Sequence, residues 1–261
     1  MTPLQLLALI CVFAVVRVAI SIKPEKVPVA ATPLLADGAI DPASGLLEPA
    51  PSARTIIREY LDAFIVAGLV ALLLITFVVR TFFIPSGSME PTLQIHDVLL
   101  VNEFEYRFSK PHHGDIVVFP PPIPTTNDFI KRTIGIPGDK FRIHNGTVYI
   151  NDVAQDENYI AQKPAYELEI KQYGISVDGV PLTPDTSNIP PKSMWQAPDR
   201  IPEGFYFMMG DNRNNSEDSH MWGFSQTGGT FANGPRKGAK AGFTGHAFLL
   251  FWPLNRIRIL H

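Results

Sequence analysis

Two hydroxyl groups, those of Ser86 and Ser88, flank Gly87 in the stretch Ile84-Pro-Ser-Gly-Ser-Met-Glu-Pro-Thr92. A serine oxygen is a nucleophile once a base takes its proton. Prolines 85 and 91 stiffen the ends of the stretch, and the glycine leaves its middle open to a second chain. Taken alone, Ser-Gly-Ser between prolines is a turn. A second candidate is Lys131, which follows Phe129-Ile130 in an apolar run. On a surface, Lys131-Arg132 is an ordinary charged pair. Buried, the ammonium is disfavoured, its pKa falls, and the neutral amine can accept a proton near pH 7. The third is Gly210-Asp-Asn-Arg-Asn-Asn-Ser-Glu-Asp-Ser-His220, which reads as a solvated loop, a calcium loop or a buried hydrogen-bonding scaffold. Against calcium, Arg213 stands where an oxygen ligand is wanted, and the glycine and closing glutamate of an EF-hand are missing.

Other chemistries find little support. The seven histidines are scattered, with no HExxH, CxxC or His-x-His spacing, so neither a metal site nor a cofactor is expected. A net charge of −3 gives no basic field for nucleic acid. Cys11 is the single cysteine, so no intrachain disulfide can form, and a domain on the oxidising side of a membrane would be held by packing alone.

The elements that must position these residues begin with two apolar runs. Residues 4–22 are almost wholly apolar, interrupted by Arg17; with no basic stretch before them and no small-x-small cleavage site close behind, they read as a membrane helix rather than a cleaved leader. A Pro/Ala-rich loop follows, and 63–79 form a second span. This divides the chain into a first helix (1–22), a cytoplasmic loop (23–60), a second helix (61–80) and a large domain (81–261). Lys23, Lys26, Arg54 and Arg58 lie in or beside the loop, which the positive-inside rule puts in the cytoplasm, leaving the large domain outside. Ser88 is then at most roughly 28 Å of extended chain from Arg80, near the bilayer surface.

Beyond residue 97 the pattern changes to short β-branched and aromatic runs, such as Val98-Leu-Leu-Val101, Asp115-Ile-Val-Val-Phe119 and Phe205-Tyr-Phe-Met208, separated by glycine turns. Ile143-His-Asn-Gly-Thr-Val-Tyr-Ile150 predicts a hairpin on an Asn-Gly type I′ turn. Residues 152–202 are polar and Pro-rich and read as an inserted subdomain. The expected fold is mainly β: an extracytoplasmic β-rich catalytic domain with a smaller inserted subdomain, anchored by two N-terminal transmembrane helices.

Pro85-Ser-Gly-Ser-Met-Glu-Pro-Thr-Leu93, Lys131-Arg-Thr-Ile-Gly-Ile-Pro-Gly-Asp139 and Gly210-Asp-Asn-Arg-Asn-Asn-Ser-Glu-Asp-Ser219, in that order after two apolar segments, resemble the boxes of bacterial type I signal peptidase (leader peptidase), a membrane serine protease. The resemblance runs from about residue 63 to the C-terminal Phe251-Trp-Pro-Leu-Asn-Arg256. It implies that Ser88 is the nucleophile and Lys131 the general base of a Ser-Lys dyad. It also implies that the Ser88 N–H and Ser86 hydroxyl form the oxyanion hole, and that Ser216 hydrogen-bonds and orients Lys131. Asp211 with Arg132, and Asp218, would support the site as ion pairs. The implied substrates are secreted preproteins cut after A-x-A-like sites at the plasma membrane, with the lipid bilayer and the export translocon as partners. Phe82, Ile84, Pro85 and Ile130 are candidate walls for the small-residue pockets. One departure is His220, where the family usually carries arginine. A Ser-His-Asp hydrolase built on Ser88 and a non-catalytic, membrane-anchored β-domain that binds exported polypeptides are the competing readings; the missing G-x-S-x-G elbow argues against the first.

Overall fold

The computed structural model describes residues 3–22, 52–77 and 79–260, so most of the expected 23–60 loop lies outside the described residues. The chain divides into two units at Phe77/Val78.

The first unit is a pair of helices, α1 (Pro3–Ile22) and α2 (Ala53–Phe77). They run antiparallel: Phe13 meets Phe64, Arg17 meets Asp62, and the Arg58 guanidinium donates to Ile20 O. Gly68 gives Ile10 room, since a Cβ there would stand 2.8 Å from its side chain. Arg17, the one charged residue of α1, makes a two-pronged bond to Asp62 of α2, with distances of 2.8 and 3.2 Å. Among the described residues, no helix is long and apolar enough to cross a membrane. Arg54, Arg58, Glu59 and Asp62 confine the uncharged part of α2 to its C-terminal half. The expected spanning character of the helices is therefore not established by them.

The second unit is built on two antiparallel sheets. Strands β1 (Val79–Phe83), β2 (Val98–Asn102), β3 (Ile116–Phe119), β4 (Phe129–Gly135), β11 (Phe205–Met209), β12 (Ser225–Gln226), β13 (Gly245–Trp252) and β14 (Arg258–Ile259) form the larger sheet. Its order is β1-β2-β13-β3-β4-β11-β12, with β14 added to β13. Strand β3 is buried on both faces, which is why it reads as an unbroken apolar run. Ile116 and Val118 pack with Met89, Leu93, Leu99 and Leu250; Val117 and Phe119 pack with Tyr206, Met208 and Trp222.

The smaller sheet holds β5 (Phe141–His144), β6 (Thr147–Ile150), β7 (Val153–Ala154), β8 (Leu168–Lys171), β9 (Gly174–Val177) and β10 (Val180–Pro181), in the order β10-β9-β8-β5-β6-β7. Four of its connections are two-residue loops, at Asn145-Gly146, Asn151-Asp152, Gln172-Tyr173 and Asp178-Gly179. All eight of those residues have positive φ, the signature of type I′ turns whose twist matches the strands they join. Strand β8 alternates, with Leu168 and Ile170 inward and Glu169 and Lys171 outward, so one face of this sheet is dry. That face joins Phe141, Ile143, Val148, Phe207 and Phe224 in a core shared with β11.

Candidate active site

Ser88 lies in a single 3-10 turn, Gly87–Met89. Met89 is wholly buried against Leu93 and Leu99, so its side chain pins the turn to the core while Ser88 stays half-exposed. The loop closes on itself: Ile84 N–H donates to Asp97 O, and His96 N–H to Ile84 O, both at 2.9 Å. Asp97 is buried and takes a bidentate pair from Arg256 at 3.0 and 2.9 Å, tying the loop to the C-terminal segment. The expected catalytic turn is thus held at both ends by contacts remote in sequence.

Lys131 is the third residue of β4 and pairs with Val117 of β3. Its residue exposure is 3 %, and Nζ lies 2.8 Å from Ser88 Oγ. The Phe129 ring sits 5.2 Å from the same nitrogen. Burial lowers the lysine pKa to about 8, while the charges of Asp218, Glu217 and Asp211 pull it upward. Desolvation wins because the apolar wall is in contact with the amine and none of the three carboxylates hydrogen-bonds it.

Residues 210–220 form a buried scaffold, the last of the three readings their composition allowed. Arg132 makes a bidentate pair with Asp211 at 2.9 and 2.7 Å, both groups buried, and donates to Gly114 O. Asp218 accepts from Gly210 N–H at 2.9 Å and from His220, whose Nδ1 lies 2.7 Å away. It also caps the short helix α3 (Ser219–Trp222). His220 stacks on Tyr166 with ring centroids 4.5 Å apart. Ser216 is brought close: a Cβ on Gly210 would fall 2.2 Å from its Oγ and 2.4 Å from Ser88 O, so only glycine fits there. The Ser216 Oγ is buried without a hydrogen-bond partner, and the expected bond to Lys131 is not formed.

A cleft of about 400 Å³ opens on the serine and the lysine. Phe82, Ile84, Pro85 and Ile130, the four expected wall residues, all line it, with Ser86, Ser88 and Lys131. Phe129, Val118, Asp128 and Glu217 line it too, and no motif singles them out for that role.

Two supporting groups, Glu157 and Tyr159, carry no sequence signature, and they meet two arginines of the boxes. Arg213, fully buried, pairs with Glu157 at 2.7 and 2.6 Å. The Tyr159 ring lies 4.1 Å from the Arg132 guanidinium and 5.9 Å from that of Arg213. These contacts join the loop before β8 to the scaffold, and nothing local in a polar Pro-rich stretch announces them.

The model of the family "Signal peptidase, peptidase S26" matches residues 57–232. The chain belongs to the signal peptidase family. The three boxes that suggested it, at Ser88, Lys131 and 210–219, all fall inside the matched region. Among its relatives is the "Probable signal peptidase I-2" of Synechocystis sp., 40 % identical over 201 residues, which are 75 % of this chain and 73 % of that one. The "Signal peptidase I" of Leptolyngbya laminosa is 34 % identical over 214 residues, 79 % of this chain and 85 % of that one. A crystal structure of a signal peptidase I from Enterococcus faecalis is 29 % identical and covers 45 % of this chain and 91 % of that chain, at a TM-score of 0.32. Membership makes the chain a protease of the signal peptidase type.

Proposed function

We propose that this protein is a membrane-bound endopeptidase that removes N-terminal signal peptides from exported preproteins after A-x-A-like sites, through an acyl-enzyme on Ser88 with Lys131 as general base. One contact carries the reading: the 2.8 Å approach of a buried lysine amine to a serine hydroxyl beside a cleft. Neutral Lys131 takes the Oγ proton as the oxygen attacks the scissile carbonyl carbon. The C–N bond then breaks, the ammonium returns its proton to the leaving amine, and the new chain's N-terminus departs. The same amine next deprotonates water, which attacks the ester and releases Ser88. The Ser88 N–H and Ser86 hydroxyl hold the oxyanion in both halves.

Substrate binding follows from the free strand edges. Strand β1 stands at one end of the larger sheet, and β4 pairs with β11 only from Arg132 onward. Main chain at Phe82–Ile84 and at Phe129–Lys131 can therefore take an extended substrate by strand addition, with apolar walls that leave room for small side chains. The membrane anchoring in this reading rests on the family and on the apolar composition of 4–22 and 63–79. It places the catalytic unit on the outer face of a bacterial plasma membrane, where preproteins emerge from the translocon.

The competing hydrolase reading needs a histidine against Ser88. Five histidines lie instead against Asp115, Asp139, Glu167, Asp218 and Glu105. The test is processing of a preprotein with an A-x-A site by the full chain, Ser88→Ala and Lys131→Ala. Both variants should leave it uncut. Normal cleavage by Lys131→Ala sinks the Ser-Lys reading, and normal function of Ser88→Ala would point to a binding module.

A further inference from the structure

We infer that Asn212 is a positioning residue for the oxyanion hole. Its side-chain Nδ2 donates to Gly87 O at 3.0 Å, and its own backbone N–H donates to Ser88 O at 3.1 Å. Gly87 O is acceptor-only, so the amide's orientation is fixed: the opposite flip would set Oδ1 against a carbonyl oxygen.

The consequence comes from peptide geometry. Gly87 C=O and Ser88 N–H are the two ends of one planar trans unit, pointing in opposite directions. Whatever fixes the carbonyl fixes the N–H, and that N–H is the backbone donor to the oxyanion in the Ser-Lys reading, on which this inference rests. A bond to the carbonyl also polarises the unit and makes its N–H a better donor. The lock is needed because the residue at 87 is glycine, the residue most free to let its peptide rotate. The other donor on Gly87 O is Glu90 N–H at 3.1 Å, a bond within the turn that moves with it. Asn212 reaches the turn from 125 residues away.

Asn212 is held in turn by its neighbours. Asp211 on one side is clamped by Arg132, and Arg213 on the other by Glu157, each pair bidentate. Asn215 N–H closes on Asn212 O at 2.9 Å. The donor is therefore presented between two buried, paired side chains, Asp211 and Arg213, as preorganised stabilisation of a developing charge requires.

The test uses the full chain and a peptide carrying an A-x-A site. Asn212→Ala keeps the backbone bond to Ser88 O and loses the bond to Gly87 O. Its kcat should fall roughly tenfold, less than the about 10²-fold or more that a direct oxyanion donor costs, because Glu90 N–H still holds the carbonyl. KM and the pH midpoint of the rate should not move. A peptide aldehyde, whose hemiacetal with Ser88 mimics the oxyanion, should lose affinity by the same factor as kcat, while a non-cleavable peptide amide binds as before. Asn212→Asp, nearly isosteric, places an acceptor against Gly87 O and should lose at least as much; it serves as the readout if the alanine variant melts early. Full kcat in both variants, or a loss confined to KM, or a pH midpoint shifted in Asn212→Ala, overturns the assignment. Ser88→Ala and Lys131→Ala run alongside: if either still cleaves, it is the Ser-Lys reading that fails.

Discussion

Lys131 Nζ and Ser88 Oγ lie 2.8 Å apart although 43 residues separate them, one on a strand paired on its β3 side and one on a turn pinned by Met89. Both partners sit on elements that cannot drift independently, since β3 packs against the same core residues that hold the turn. That contact sets most of what can be measured on the site.

The first expectation concerns pH. Only the neutral amine can take the serine proton, and burial brings the Lys131 pKa down to about 8 from an ordinary 10.5. The rate should therefore climb about tenfold per pH unit at low pH, reach half its maximum near pH 8 and level off above. A profile of kcat/KM against pH decides it. A midpoint near 10 would mean that the site is wet and the amine is not desolvated.

The same shift has a cost in stability, and its sign is fixed. The folded pKa lies below the unfolded one, so the fold binds fewer protons between pH 8 and 10.5. The penalty is fully present below about pH 8 and disappears as the pH rises toward 10.5. Lys131→Met removes the charge while filling similar space. It should be inactive yet more stable than wild type by roughly 3 kcal/mol at pH 7, an advantage that shrinks toward pH 10.5. Denaturant titrations at the two pH values measure it.

How much of this could be read from the chain alone varies by element. Strand β3 and the Asn145-Gly146 hairpin were legible because continuous burial and a type I′ turn each impose a local pattern. The hairpin at Gln172-Tyr173 was not, because its two left-handed residues are neither glycine nor asparagine. Asn151-Asp152 and Asp178-Gly179 did offer turn residues, but strands of two residues beside them are too short to show alternation. Strand β1 was hidden behind the apolar run that precedes it; Val79-Arg-Thr-Phe-Phe83 alternates poorly and continues a hydrophobic stretch. In the site, Ser88 and Lys131 belong to motifs with a type and an order. Asn212 lies in the third motif, but its contact with Gly87, like that of Glu157 with Arg213, joins residues 125 and 56 positions apart, and no local spacing encodes those.

Gly210 tests how tightly the scaffold is pressed against the nucleophile. A methyl group there would lie 2.4 Å from Ser88 O, which is backbone, and 2.2 Å from Ser216 Oγ. One of the two must give, and the serine turn is the one that carries the chemistry in the Ser-Lys reading. Gly210→Ala should cost on the order of 10²-fold in kcat through misplacement of Ser88, with a lowered melting temperature. Activity within a factor of two of wild type would show that the turn can retreat without harm.

The Arg132–Asp211 pair should behave as a buried ion pair does. Asp211→Asn leaves the guanidinium buried between the Tyr159 ring and Gly114 O with its partner's charge lost. A loss of about 3–5 kcal/mol is expected for breaking such a pair from one side. Replacing both residues, Arg132→Met with Asp211→Leu, removes the uncompensated charge and should recover most of that loss. In the Ser-Lys reading the pair acts by holding Asn212 and by the pull of the Asp211 charge on the Lys131 pKa, so the double variant should fold well and still cleave slowly. Denaturant titration and peptide cleavage on the three variants separate the two effects.

His220 gives the last expectation. Asp218 is fully buried and is satisfied by Gly210 N–H on one oxygen and by His220 on the other. His220→Ala removes the ring that closes the second oxygen and unstacks Tyr166, but the ring touches neither Ser88 nor Lys131 in any hydrogen bond. A buried carboxylate that loses one partner costs roughly 1–3 kcal/mol. The variant should therefore melt earlier, while its kcat falls by no more than a few-fold. His220→Arg, which offers Asp218 a permanent cation, should restore stability without restoring anything to the rate. If His220→Ala instead loses activity about 10²-fold with its melting temperature intact, Asp218 acts on Lys131 directly and the histidine belongs to the chemistry.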